Sequence, residues 1–161
     1  MKAVVYTEYA QDDNFSKILK VQDIDDPKPK ADEVVFEVKS AAINFNDIWG
    51  MRGNPVPVPL PHVSGSDAAG DVIAVGDDVK NIKVGDKVVS HSNMSCRVCK
   101  ACTDGREFDC LKRTIWGFQT GPNWGAFSEI THLPEVNVAK IPEGLSYDQA
   151  AAASMTLLTS W

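Results

Sequence analysis

A chain of 161 residues with 43% hydrophobic content and a net charge of −6 has the size and core material of about one domain. It lacks the basic stripe a nucleic-acid surface needs, and its apolar stretches fall short of the ~20 residues that span a bilayer. The opening Met1-Lys2-Ala3-Val4-Val5-Tyr6 reads as a strand, without the charged start, apolar core and small-residue cleavage site of a secretory signal, so a cytoplasmic location is expected.

Most of the chain is predicted as short strands separated by turns. Asp26-Pro27-Lys28-Pro29-Lys30 is a breaker segment that cannot join a ladder, and Glu33-Val34-Val35-Phe36-Glu37-Val38-Lys39 behind it is rich in strand formers. The run Asn54-Pro55-Val56-Pro57-Val58-Pro59-Leu60-Pro61 predicts a stiff, extended connection; a polyproline ligand has the same composition. Ala69 to Val79 and Ile82 to Val89 each carry valine-rich strand sequence with a Gly-Asp pair, at Gly76-Asp77 and Gly85-Asp86, and read as consecutive turns of a small β-barrel. Two copies are too few for a solenoid.

All four cysteines fall within fifteen residues, as Cys96-x2-Cys99-x2-Cys102-x7-Cys110. Four thiolates on one loop suit a tetrahedral structural zinc with every position filled by protein. Two alternatives stand beside it. An iron–sulfur cluster uses a similar opening, although ferredoxin motifs place the last cysteine closer and follow it with proline, where this chain has Leu111. Disulfides require an oxidising compartment. The basic residues Arg97, Lys100, Arg106, Lys112 and Arg113 surround the thiols, either offsetting their charge or serving an anionic ligand.

Ser146-Tyr147-Asp148-Gln149 forms a capping box, and Ala150 to Trp161 continues as a mostly apolar helix without a glycine or proline exit. Such a helix has to bury a face, and a further domain is expected to follow.

Taken together, these pieces resemble the medium-chain dehydrogenase/reductase superfamily. The resemblance is carried by Ala41-Ala42-Ile43-Asn44-Phe45-Asn46-Asp47, Gly65-Ser66-Asp67-Ala68-Ala69-Gly70, Val75-Gly76 through Val84-Gly85-Asp86-Lys87-Val88, the four-cysteine lobe and Gly125-Ala126-Phe127-Ser128-Glu129. It implies a mainly β fold: a GroES-like β-barrel over residues 1–145 with a zinc lobe at about 91–115, then residues 146–161 starting the helix that leads to a Rossmann domain. No G-x-G-x-x-G occurs in the sequence, so that nucleotide-binding domain is expected outside this chain and the chain alone is expected to be inactive.

The zinc-dependent alcohol dehydrogenases of this superfamily have a cysteine where this chain has Asn44 and a His-Glu pair where it has Ser66-Asp67, so the resemblance implies a structural zinc without a catalytic one. His62, His91 and His132 are read as structural. Asn44-Phe45-Asn46, His62-Val63-Ser64-Gly65-Ser66-Asp67, Thr114-Ile115-Trp116-Gly117-Phe118-Gln119-Thr120 and Met155-Thr156-Leu157-Leu158-Thr159-Ser160-Trp161 are similar to stretches of crotonyl-CoA carboxylase/reductases and acryloyl- or enoyl-CoA reductases. This implies an NADPH-dependent oxidoreductase that transfers hydride to an α,β-unsaturated thioester, with a small-molecule enoyl-CoA substrate and a homo-oligomeric state.

By motif, the residues that help hold carbon dioxide or control water in the carboxylating members fall on Asn44, Phe118 and Gln119. Glutamine replaces their glutamate at Gln119, so plain reduction is expected rather than carboxylation. Trp116 reads as packing, and Trp124 as a candidate for the acyl channel. The readings that compete are an alcohol dehydrogenase or quinone oxidoreductase and, in a different class, a GroES-like co-chaperonin module.

Overall fold

A computed structural model describes residues 1–122 and 124–160. Ten strands and three α-helices run in the order β1 (Lys2–Tyr6), β2 (Lys20–Asp23), β3 (Glu33–Ala42), α1 (Phe45–Arg52), β4 (His62–Val63), β5 (Asp67–Val75), β6 (Lys87–Ser90), β7 (Asn93–Met94), α2 (Lys100–Thr103), β8 (Thr114–Ile115), β9 (Ile130–Pro134), β10 (Val138–Lys140) and α3 (Tyr147–Ser160). The fold is mainly β, as expected. A five-stranded antiparallel sheet has the order β10-β6-β5-β3-β9, a three-stranded one β2-β1-β4, and β7 pairs with β8. The two larger sheets are joined where Val4 N–H donates to Phe127 O at 2.8 Å and Glu129 N–H donates to Lys2 O at 3.0 Å.

The barrel interior is the apolar face of these strands: Val34, Phe36, Ala68, Val72, Val88, Trp116 and Leu133 form one buried cluster. Trp116 is thus packing, as expected. β3 and β5 share the longest ladder, interrupted by register shifts at Val35/Phe36 and Val38/Ser40 that bend the sheet toward closure. Gly70 sits on this ladder because a Cβ there would lie 1.9 Å from Glu37 O.

Two local readings are corrected. Ile82–Val84 is not strand: the backbone N–H groups of Lys80, Asn81 and Ile82 converge on Glu135 Oε1 at 3.0, 2.5 and 3.2 Å, a side-chain anchor that takes the donors a ladder would use. The proline run is broken by bends at 55–56 and 60–61, and Val58 is buried beneath it with its carbonyl accepting from Tyr9 Oη at 2.8 Å. It is a connection held to the body of the domain.

The capping box forms as predicted: Gln149 N–H donates to Ser146 Oγ at 3.2 Å and Ser146 N–H to Gln149 Oε1 at 3.0 Å. α3 lies on the five-stranded sheet through its smallest residues, Ala150 and Ala151 closing on Ala69. Ser154 Oγ donates to Ser90 O at 2.7 Å on the same face, while Leu157 remains exposed. Among the described residues, no helix is long and apolar enough to cross a membrane.

Candidate functional site

Asn44 ends the β3 extension in a β conformation and caps α1. Its N–H donates to Asp47 Oδ2 at 2.8 Å, and its Oδ1 accepts from Asn46 N–H at 3.5 Å. This capping box fixes the direction of the asparagine amide. The amide nitrogen then donates to Asp67 Oδ2 at 3.2 Å, and the other oxygen of Asp67 accepts from Met155 N–H of α3 at 2.6 Å. One buried carboxylate therefore joins β5, the start of α1 and the middle of α3. Burial pushes the Asp67 carboxyl above the usual carboxylate range, against the donors from Met155 and Asn44. Burial likewise pushes Asp47 up to about 6, opposed by the N–H groups of Asn44 and Gly65.

These are the positions where the resemblance places a catalytic zinc's ligands. Asn44 and Asp67 are hydrogen-bonded to one another there, and Ser66 Oγ is buried with no hydrogen-bond partner among the described residues. An amide, a hydroxyl and one carboxylate committed to three elements make a poor first shell for a divalent transition metal. The nearby His62 is no substitute. Its ring is wholly buried, with Nδ1 3.1 Å from Pro59 O and Nε2 3.1 Å from Gly117 O. Burial holds it below its ordinary pKa, so it is a structural histidine tying two backbone segments.

A cleft of about 500 Å³ opens on Asn44. Its walls include Phe45 and Trp49 of α1, Gln119, Arg113, and Met155 of α3. Asn44 and Gln119 are thus brought together. Gln119 turns its Oε1 to Ile115 N–H at 3.0 Å, which leaves the amide NH2 as its free group. Phe118 lies behind the wall, buried with Tyr6, Ile18, Met51 and Val58, its ring 6.5 Å from that of Trp49. Trp124, a candidate for the acyl channel, is elsewhere, edge-on to His132 at 5.1 Å with Lys30 over its ring, and is not among the residues lining this cleft. Trp49 and Arg113 were not singled out by sequence reasoning as cleft residues. An aromatic pair at i and i+4 on a short helix, Phe45 and Trp49, was the available signal for the first; their rings meet at 5.3 Å on the surface.

The four thiols gather as the spacing predicts. Their sulfurs all lie within 4.8 Å of one another, with Cys99–Cys102, Cys96–Cys110 and Cys96–Cys102 at 3.5, 3.6 and 3.9 Å. A tetrahedral site with Zn–S bonds of about 2.3 Å has edges of about 3.8 Å, so the donor set fits this ion. The N–H groups of Val98 and Cys99 hold the Cys96 thiol down to about 6. Although the Cys102 N–H favours its thiolate, the sulfurs of Cys102 and Cys96 push Cys99 up to about 11. Four thiolates this close need a cation to ionise together.

A mainly β domain with a four-thiol lobe and a cleft between α1 and α3 has the architecture of the GroES-like domain of the medium-chain dehydrogenase/reductase superfamily. The chain belongs to that superfamily: residues 30–143 match the alcohol dehydrogenase GroES-like domain. It is 35% identical over 149 residues to crotonyl-CoA carboxylase/reductase from Cereibacter sphaeroides, covering 89% of this chain and 34% of that protein. Among solved structures, an NAD-dependent alcohol dehydrogenase superposes with a TM-score of 0.91 at 38% identity, covering all of this chain and 45% of that one. A cobalt- and zinc-bound thermostable alcohol dehydrogenase from Pyrobaculum aerophilum superposes with a TM-score of 0.82 at 27% identity over 94% of this chain and 44% of its own. The chain thus spans about a third of the curated relative's length. A co-chaperonin module is set aside by these relatives.

Proposed function

We propose that this chain is the substrate-side domain of an NADPH-dependent enoyl-CoA reductase acting on acryloyl- or crotonyl-type thioesters, with a structural zinc held by Cys96, Cys99, Cys102 and Cys110. The observation that carries this reading is the Asn44–Asp67 hydrogen bond at 3.2 Å, which fills the place of a catalytic metal with a donor amide. An alcohol dehydrogenase needs a Lewis acid at that place to draw the proton from an alcohol. A conjugated thioester needs donors where its oxygen gains charge.

The sequence has no G-x-G-x-x-G fingerprint, and the nicotinamide, which supplies hydride when bound, belongs to a further domain in this reading. Asn44 carries a second amide hydrogen, directed by the Asp47 and Asp67 contacts, that donates to the thioester oxygen as it becomes enolate. Gln119 offers its NH2 group to the cleft and no carboxylate, which favours protonation of the enolate over capture of carbon dioxide. Phe45 and Trp49 shield the reacting carbons from water, and Phe118 fixes Trp49 from behind. In the same reading, residues 1–145 form the barrel, residues 146–161 lead to the nucleotide domain, and the enzyme is a cytoplasmic homo-oligomer.

The second reading, alcohol dehydrogenation, draws on the 38% identity to an NAD-dependent alcohol dehydrogenase structure. The test is NADPH and NADH oxidation by the complete gene product with crotonyl-CoA and acryloyl-CoA, with and without bicarbonate, beside NAD reduction with a panel of alcohols. Thioester reduction that ignores bicarbonate is expected. Alcohol oxidation without thioester reduction would overturn the proposal.

A further inference from the structure

We propose that Arg113, together with Arg97, forms a phosphate-binding subsite for the ligand whose reacting end lies at Asn44; this deepens the enoyl-thioester reading and rests on it. The cleft at Asn44 neighbours a second hollow of about 300 Å³, and the two share Asn93 and Arg113 as lining residues. The second hollow adds His91, Arg97, Glu107 and Phe108. A ligand that extends from Asn44 into the second hollow would therefore run beside Arg113.

The basic residues of the lobe differ in their partners, and of the two without an ion pair among the described residues, Lys112 and Arg113, Lys112 lines a different hollow. Lys100 is paired with Asp104 at 2.9 Å and Arg106 with Asp109 at 2.6 Å, so their charge is met locally. Arg113 makes no ion pair among the described residues. Its Nη1 donates to Phe108 O at 2.7 Å, which fixes the guanidinium and leaves its further N–H groups as donors for a ligand. Its backbone N–H donates to Cys110 O at 3.0 Å, so the thiol lobe itself sets the arginine in place.

Arg97 is the non-glycine residue with positive φ, 60°, among the described residues, a conformation that costs about 1 kcal/mol or more. It lies between two of the thiols in sequence, and the loop around them enforces that backbone. Its guanidinium reaches Glu107 at only 3.5 Å with both side chains about two-fifths exposed, a weak pair that a phosphate would outcompete. Two arginines facing one hollow of a chain with net charge −6 mark a local preference for a dianion. In the proposed reaction this is a phosphate of the coenzyme A portion of the substrate. The metal lobe thereby acquires a binding role, as the platform that carries these arginines to the cleft.

The test compares crotonyl-CoA with crotonyl-pantetheine, which has the same acyl thioester and no phosphate, in the complete enzyme and its Arg113→Gln and Arg97→Gln variants. The ratio of kcat/KM for the CoA thioester to that for the pantetheine thioester is expected to fall about tenfold in Arg113→Gln and by less in Arg97→Gln, with KM for NADPH holding. An unchanged ratio, with both thioesters impaired alike, would mean a structural role and overturn the proposal. A shift confined to the NADPH KM would also overturn it, assigning the arginines to the cofactor's phosphate. If the wild-type enzyme reduces neither thioester, the enoyl-CoA reading itself fails. Calorimetric titration with CoA then decides the subsite alone: binding that Arg113→Gln weakens supports it, and binding that is absent or indifferent to Arg113 sinks it.

Discussion

The amide of Asn44 and the carboxylate of Asp67, 23 residues apart in sequence, are joined at 3.2 Å, and Asp67 reaches on to Met155 N–H at 2.6 Å. The side chain at the floor of the cleft and the helix that forms its wall therefore share one carboxylate. Orientation of the Asn44 amide and placement of α3 are therefore not independent in this domain.

Replacing Asp67 should separate charge from hydrogen bonding. Asp67→Ala takes the acceptor from the buried Met155 N–H and from the half-buried Asn44 amide, at up to about 1–3 kcal/mol for each unsatisfied group. Asp67→Asn keeps an acceptor for one of them and removes the buried charge. Urea unfolding should show Asp67→Ala losing several kcal/mol by that count and Asp67→Asn less than half as much. Equal losses would mean that the carboxylate's charge, rather than its acceptor oxygens, holds the three elements together.

Asp47 gives a pH dependence whose sign follows from burial. Its folded-state pKa of about 6 lies above its ordinary 3.8, so between these values the native state binds the extra proton. Stability from this group is therefore full below about pH 4, declines as pH rises through 6, and is flat above. A shift of this size corresponds to about 3 kcal/mol at ~1.4 kcal/mol per unit. Asp67, also raised, acts in the same direction. The measurement is the difference between wild-type and Asp47→Asn unfolding free energies from pH 4 to 8, in which contributions common to both proteins cancel. A difference that does not vary with pH would place the Asp47 carboxyl in a far more polar setting.

The sulfur geometry predicts metal content. One zinc per chain is expected by elemental analysis, in a colourless protein, and Cys102→Ser should remove it. The lobe from Asn93 to Ile115 is built around the sulfurs, with β7 and β8 as its short base, so hydrogen exchange there should rise on metal removal. The five-stranded sheet, whose core lies elsewhere, should keep its protection. A second equivalent of zinc that survives Cys102→Ser would put a metal at Asn44 and Ser66 and reverse the functional proposal.

What the sequence disclosed and what it hid divide by range. The capping box at Ser146–Gln149 and the thiol spacing are local patterns, and both appear in the fold as read. Ile82–Val84 has strand composition, yet Glu135, more than fifty residues on, captures the backbone donors at 80–82. The motif resemblance places Phe118 at the site, but a buried position one layer behind Trp49 has the same apolar signature as a wall position. Arg113 was seen only as part of a charged cluster. Its separation from Lys100 and Arg106 depends on which carboxylates reach which guanidinium, and charge counting does not show that.

Two glycines should respond to alanine to different degrees and for different reasons that the backbone makes explicit. At Gly70 the added Cβ would meet Glu37 O at 1.9 Å, inside the β3–β5 ladder, so Gly70→Ala must push two paired strands apart. Overpacking of this kind costs about 1–3 kcal/mol where neighbours can yield, and here the obstacle is backbone, so a loss at or above the top of that range is expected. At Gly85 nothing lies within 4 Å, but φ is +90°. Gly85→Ala should therefore cost only the conformational penalty, about 1–2 kcal/mol. Gly70 lies on β5, three residues from Asp67, so its substitution should also disturb the Asn44–Asp67 contact and raise hydrogen exchange at Met155, whereas Gly85→Ala should leave both alone. Comparable stability losses in the two variants, with no change at Met155 in either, would show that the ladder absorbs a methyl group that its present spacing excludes.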